Sequence, residues 1–139
     1  RVYAVDVGKG QLHPRLREDP RVVALEEEDA RTLVLPEPVD LVVMDVSFIS
    51  STLLLPKVLE LLKPQGEALI LVKPQFEAGR EAVGKGGLLR DLHDGPRIAD
   101  ELFEWLDAQP GWRSLGHCPS PIEGGDGNRE YLLAGVKDQ

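Results

Sequence analysis

The chain has 139 residues, 42% apolar and 29% charged, the makeup of a folded globular protein with enough length for a core. Its net charge of −8 opposes indiscriminate binding to nucleic acid, so any such contact needs a local basic patch. No apolar run approaches the roughly 18 residues of a membrane span, nothing reads as a secretory leader, and the single Cys118 excludes an internal disulfide framework and favours a cytoplasmic setting.

The sequence opens on Arg1-Val-Tyr-Ala-Val-Asp-Val7, already a strand pattern over Val2–Val7 with no Met before it, so it reads as part of a longer protein. Gly8 and Gly10 follow. Arg21–Leu25 reads as a second short strand, Asp40–Asp45 as a third and Ala68–Val72 as a fourth. Apolar runs this short, with little alternation, suit parallel strands buried on both faces. Ser50 and Ser51 can cap a helix carrying Leu54, Leu55, Val58, Leu59, Leu61 and Leu62. Pro56 fits such a helix only in its first turn, and Lys63-Pro-Gln-Gly66 stops it. A further helix spans about Leu92–Asp107, with Ile98, Ala99, Leu102, Phe103 and Leu106 on one face, and Pro110-Gly111 ends it. Trp112–His117 and Glu130–Val136 read as two closing strands. Strand and helix alternate, which predicts one α/β domain over 1–139 with a mostly parallel sheet. Ala78–Arg90, with four glycines, and Pro119–Asn128 read as long loops, which in a compact domain are often functional.

Ligands of open α/β sheets bind at the carboxyl ends of the strands. Asp6 ends the first strand, Asp29 follows the second by four residues, Asp45 ends the third, and the fourth runs straight into Lys73. Glu130 opens the last strand after Gly127-Asn-Arg129; if that strand is antiparallel, its start lies at the same rim. Each residue alone has an ordinary explanation: acids at strand ends serve as turn residues, and a Lys there reaches for water. A Lys among several carboxylates in one cleft, by contrast, suits chemistry.

Taken together, Asp45-Val-Ser-Phe-Ile-Ser50, Leu62-Lys-Pro-Gln-Gly66, Val72-Lys-Pro-Gln-Phe-Glu-Ala-Gly-Arg80, Val83-Gly-Lys-Gly-Gly87 and Gly127-Asn-Arg-Glu130 resemble the TlyA, or haemolysin A-like, ribosomal RNA methyltransferases of the FtsJ-like group. The resemblance covers essentially the whole chain. It implies a Rossmann-like class I methyltransferase sheet, mostly parallel with an antiparallel closing strand, and S-adenosylmethionine as cofactor. It also implies a Lys-Asp-Lys-Glu catalytic set, of which Asp45, Lys73 and Glu130 match three members. The first Lys has no counterpart, because the first strand and Gly-rich turn of the family pattern are absent, as is the S4-type RNA-binding domain that precedes it. By the same resemblance Asp6 would hold the cofactor's ribose hydroxyls, Asp29 and Ala30 would lie at its adenine, and Asp45 near its methionine end. In that fold the missing strand would sit between those of Val2–Val7 and Leu41–Asp45, leaving a gap with two unpaired edges.

The expected reaction is methylation of a ribose 2′-hydroxyl in ribosomal RNA, which also demands RNA over DNA. A neutral amine at Lys73 would take the hydroxyl proton; a charged one would steady the developing alkoxide. Arg80, Lys85 and Arg90 cluster in a long loop and are the candidate RNA contacts, with a solvated loop as the ordinary alternative. Partners would be ribosomal RNA or ribosomal subunits, with no membrane; nothing fixes an oligomeric state.

Other readings fit less of the chain. Gly79-Arg-Glu-Ala-Val-Gly-Lys-Gly86 nearly spells a phosphate loop, but Gly86 stands where the Mg²⁺-binding hydroxyl belongs. A receiver-type signalling domain would match Asp40–Asp45 and Val72-Lys73-Pro74, yet Asp6 stands alone where receivers carry an acidic pair, and only 28 residues separate Asp45 from Lys73. A cytolysin would need an amphipathic pore segment or a membrane span, and neither is seen. Cys118, before Pro119, reads as a small core or strand-end residue rather than a nucleophile, and His13, His93 and His117 lack ligand spacing, so no metal is assigned. The main alternative is an inactive cofactor-binding or scaffolding fragment of such an enzyme.

Overall fold

A computed structural model describes residues 1–6, 8–10, 12–45, 51–74, 94–122 and 129–138. The chain divides into two compact units, Arg1–Pro36 and Glu37–Gln139.

In the first unit β1 (Val2–Val5) and β2 (Val22–Leu25) pair in parallel, Val2 opposite Val22 through Val5 opposite Leu25. A single-turn helix, α1 (Pro14–Arg17), lies between them in sequence; Pro14 opens it, where the missing N–H costs nothing, and His13 Nδ1 accepts from the Arg15 amide. Both strands are shorter than the sequence pattern suggested: Arg21 and Asp6 fall outside them, each in a turn closed by an aspartate.

The second unit holds a four-stranded sheet in the order β3-β4-β6-β5, formed by β3 (Val39–Met44), β4 (Leu62–Val72), β5 (Trp112–Pro119) and β6 (Tyr131–Lys137). β3 and β4 are parallel, while β6 runs antiparallel to both β4 and β5, so one strand of the four is reversed. The sheet is therefore mixed: β3, β4 and β5 run in one direction, and β6, inserted between β4 and β5, is the antiparallel strand that the family resemblance implied.

Two helices, α2 (Ser51–Leu59) and α3 (Asp94–Asp107), pack on this sheet. Leu54, Leu55, Val58 and Leu59 of α2 and Ile98, Ala99, Leu102 and Leu106 of α3 are buried, as are Ala68, Ile70 and Val72 on alternate positions of β4. Gly135 lets α3 approach β6 closely: a Cβ there would stand 2.7 Å from Leu106 Cδ2. Ser114 on β5 ties down the same helix, its hydroxyl donating to the Phe103 carbonyl at 2.8 Å and its amide to Asp107 at 2.9 Å. Lys137 reaches back from β6 to the carbonyls of Leu59 (3.5 Å) and Leu62 (2.8 Å), where α2 ends.

Three expectations are corrected. First, Leu61 and Leu62 do not extend α2. The helix stops at Leu59, Leu62 opens β4 opposite Val39, and Lys63-Pro-Gln-Gly66 lies within that strand as an irregularity rather than as a helix stop. Gln65 takes φ +70°, and Gly66 is pressed so close to the backbone that a Cβ would meet the Lys63 carbonyl oxygen at 2.8 Å. Second, Pro56 lies inside α2 beyond its first turn, facing solvent and bringing no N–H to the helical ladder. Third, the sheet is not buried on both faces. Leu41 and Val43 of β3 are 55% and 68% exposed, because the helices cover the opposite face, that of Met44 and Ile70.

Candidate active site

Two groups of residues must be described separately, one in each unit. In the second unit, β3 delivers Asp45 one residue past its end and β4 delivers Lys73 one residue past its own. Lys73 is followed by Pro74, which restricts the residue before it to extended backbone and is itself fully buried. The Lys73 side chain is 15% exposed, and its Nζ stands 2.5 Å from Oδ1 of Asp45, whose side chain is 58% exposed. β6 pairs Tyr131 with Val72, and one further step of that antiparallel register sets Glu130 opposite Lys73. Glu130 is buried, at 7% exposure, and its carbonyl accepts the Ser120 amide at 2.8 Å. Asp45, Lys73 and Glu130 thus lie at the ends of three adjacent strands, with Asp45 and Lys73 in contact.

In the first unit, Asp6 and Asp29 follow β1 and β2. Asp6 accepts the Gly8 amide at 2.8 Å and closes a tight turn. The loops after the two strands are stitched together: the Glu27 amide donates to the Gly8 carbonyl and the Glu28 amide to that of Asp6, both at 3.0 Å. Glu26, held by Arg17 and by the Gly10 amide, keeps its carboxyl below the usual carboxylate range. Gly10 adopts φ +72°, a conformation that favours glycine. Asp29 receives a fork from Arg31, with Nη2 to Oδ2 at 2.7 Å and Nε to both oxygens at 3.1 Å; its carboxyl is lowered to about 2, chiefly by that side chain and then by the Arg31 amide. Ala30, within the same turn, is half-buried.

Arg17, Glu26 and Arg31 were not singled out from the sequence. The signal for Arg31 was the Asp-x-Arg spacing, which places an arginine across an aspartate-closed turn; charge-pattern reading looks instead for helical spacings of three or four. Arg80, Lys85 and Arg90, the candidate RNA contacts, lie outside the described residues. Cys118 is exposed at the end of β5 and is not a core residue. Among the described residues, no cluster of three or more His, Cys, Asp or Glu is placed to hold a metal ion, and no helix is long and apolar enough to cross a membrane.

The family model for FtsJ-like methyltransferases matches residues 1–137. The chain belongs to that family. It is 47% identical, over 94% of its length and 48% of the relative's, to the "Putative rRNA methyltransferase YqxC" of Bacillus subtilis (strain 168). It is 46% identical to the 16S/23S rRNA (cytidine-2′-O)-methyltransferase TlyA of Mycobacterium tuberculosis (strain CDC 1551 / Oshkosh), over 95% of this chain and 50% of that protein. A crystal structure described as a "putative hemolysin from Lactococcus lactis" superposes with a TM-score of 0.90 at 41% identity, covering 99% of this chain and 67% of that one. The chain spans about half the length of the curated relatives it matches.

Proposed function

We propose that this chain is the methyl-transferring part of an enzyme that methylates a ribose 2′-hydroxyl of ribosomal RNA, with S-adenosylmethionine as cofactor. The observation that carries the reading is the Lys73–Asp45 contact of 2.5 Å, with Lys73 and Glu130 flanking the last pair of the β4–β6 ladder, Val72 and Tyr131.

The cofactor, when bound, supplies a methyl group on a sulfonium, an electrophile that a ribose oxygen can attack. The residues of the first unit fit its adenosine half. Asp6 is an exposed carboxylate able to accept from the ribose hydroxyls, and Asp29, lowered to about 2 by Arg31, is an ionised acceptor suited to the adenine amino group. Ala30 lies beside it in the turn.

In the second unit, Lys73, held in place against Asp45, donates to the ribose oxygen and steadies negative charge as it builds there. Glu130, the residue before β6, would receive the hydroxyl proton as that oxygen takes the methyl group, the C–S bond of the sulfonium breaking to leave a neutral thioether. Asp45 fixes the ammonium. Arg80, Lys85 and Arg90 would bind the RNA backbone, concentrating positive charge in an otherwise acidic chain. Such a substrate sets the work in the cytoplasm, where ribosomal subunits are assembled and used.

The test is methyl transfer from labelled cofactor to purified ribosomal subunits by the natural full-length protein, with Lys73→Ala beside it. Label is expected in the RNA, at a ribose rather than a base, and the variant is expected to lose about 10²- to 10³-fold in rate while binding the cofactor nearly as well. Full activity in the variant would remove Lys73 from the reaction. No label with either protein would favour an inactive cofactor-binding or scaffolding role.

A further inference from the structure

The Asp29–Arg31 pair repeats the fork of Asp19–Arg21, but it lies past the carboxyl end of β2, where ligands of α/β sheets bind, whereas Asp19 precedes that strand. Its partners are two residues apart, and Arg31 engages the carboxylate with both its side chain and its own backbone amide. The amide donates to Oδ1 at 2.9 Å, Nε lies 3.1 Å from each oxygen, and Nη2 donates to Oδ2 at 2.7 Å. The turn is closed again from the other side, where the Thr32 amide donates to the Asp29 carbonyl at 3.0 Å and the Thr32 hydroxyl at 3.3 Å. The carboxylate therefore has a fixed plane and a fixed rotamer before any ligand arrives. It is not sealed off: the Asp29 side chain keeps 36% of its surface exposed. A carboxylate offers about four lone-pair positions, and Arg31 brings three donors to it, Nε being shared between the two oxygens, which leaves room for one further donor at the exposed surface. The same turn is stitched to the Asp6 loop through the Glu28 amide, so its placement follows that of Asp6.

We propose that Arg31 is a positioning residue for the cofactor: it holds the Asp29 carboxylate in the orientation in which its exposed edge accepts the adenine amino group. The inference rests on the reading of Asp29 as an adenine contact. An amino group on a purine is a neutral donor, and a charged, pre-aimed acceptor serves it best. A side chain that must be immobilised on binding weakens binding, and one already immobilised does not. Loss of one such constraint corresponds to about a 3- to 10-fold weaker affinity. Lys at this position would keep the charge and lose the two-pronged geometry.

The experiment is calorimetric titration of S-adenosylmethionine into the natural full-length protein and into Arg31→Ala, Arg31→Lys, Asp29→Ala and the double Asp29→Ala/Arg31→Ala variant. The fold of each is checked by thermal unfolding, and steady-state kinetics on ribosomal subunits are run in parallel. Arg31→Ala is expected to weaken binding about 3- to 10-fold and to raise the cofactor KM to match with kcat unchanged, and Arg31→Lys to recover only part of the loss. Once Asp29 is Ala, removing Arg31 as well is expected to cost nothing further. An Arg31→Ala variant that binds normally, where Asp29→Ala does not, would overturn the proposal and leave the adenine reading of Asp29 standing. So would an Arg31 effect that persists undiminished without Asp29. Normal binding by Asp29→Ala would instead remove Asp29 from the cofactor, and the proposal with it.

Discussion

The two units of this chain are held together by different physics. In the second, Ile70 and Leu133 of the sheet and Leu55 of α2 are completely buried, and the sheet joins strands distant in sequence. In the first, every residue of β1 and β2 is half-buried or exposed, and the polar contacts are conspicuously local. Asp6 to Gly8, His13 to Arg15, Asp19 to Arg21 and Asp29 to Arg31 each bond a side chain to a backbone amide two residues on. A two-stranded ladder is marginal in water even with good turns. The unit that carries the proposed cofactor contacts is thus shaped by turn chemistry, and the unit that carries the proposed reacting groups by a packed core. Turn chemistry sets directions of carboxylates accurately over a few residues. Only a core can bring Asp45, Lys73 and Glu130, far apart in sequence, to one place.

The sharpest way to break this comparison is to remove equivalent bulk from each unit. Ile70→Ala takes away a fully buried side chain between strands and helices and should destabilise by about 2–5 kcal/mol. Val23→Ala, on a half-buried strand, should cost about 1 kcal/mol. Urea unfolding of the two variants measures the difference; equal losses would mean that the first unit has a core of its own.

Next in size is a change that tests where β4 begins. Gly66→Ala places a methyl group 2.8 Å from the Lys63 carbonyl oxygen, 2.9 Å from Leu62 Cδ2 and 3.2 Å from the Asp40 carbonyl oxygen. Backbone cannot yield as a side chain tip can, so the variant should lose about 1–3 kcal/mol in the same assay. A neutral substitution would show that this stretch of β4 is not pressed against β3 as described.

That junction also marks where the sequence could be read and where it could not. Apolar spacing carried Leu61 and Leu62 into the helix, because leucines at helical intervals look alike whether the backbone continues or turns. What decides the matter is non-local. Leu62 pairs with Val39, and between that pair and Leu41–Glu67 the strand β3 advances two residues while β4 advances five. Gln65 absorbs the excess with a positive φ, which a glycine or an asparagine at that position would have signalled more plainly than a glutamine. Asp45 and Lys73, by contrast, were legible because the rule that locates them is topological: the carboxyl ends of neighbouring parallel strands share a rim. Glu130 followed for the same reason, once β6 was taken as the reversed strand. The Arg31 fork was hidden because its geometry depends on a turn that no periodicity announces.

The finest distinction between the units is electrostatic. Asp19, Glu26 and Asp29 are held below their usual range by Arg21, Arg17 and Arg31 respectively, and all three belong to the first unit. A carboxyl whose pKa is lower folded than unfolded adds stability above its unfolded value, and that stability disappears as pH falls through the folded value. For Asp29 the window runs from the ordinary aspartate value near about 4 down to about 2. All three side chains meet water, so each effect is modest, but they act in the same direction and in the unit with the thinner core. Amide hydrogen exchange followed from pH 6 towards pH 3 should therefore show protection falling at Val23 and Leu25 while Ile70 and Leu133 still resist. Arg31→Gln should bring the loss at Leu25 to a higher pH. Simultaneous loss at all four amides would mean that the two units open as one, and that the arginine-held turns are not the weak point under acid.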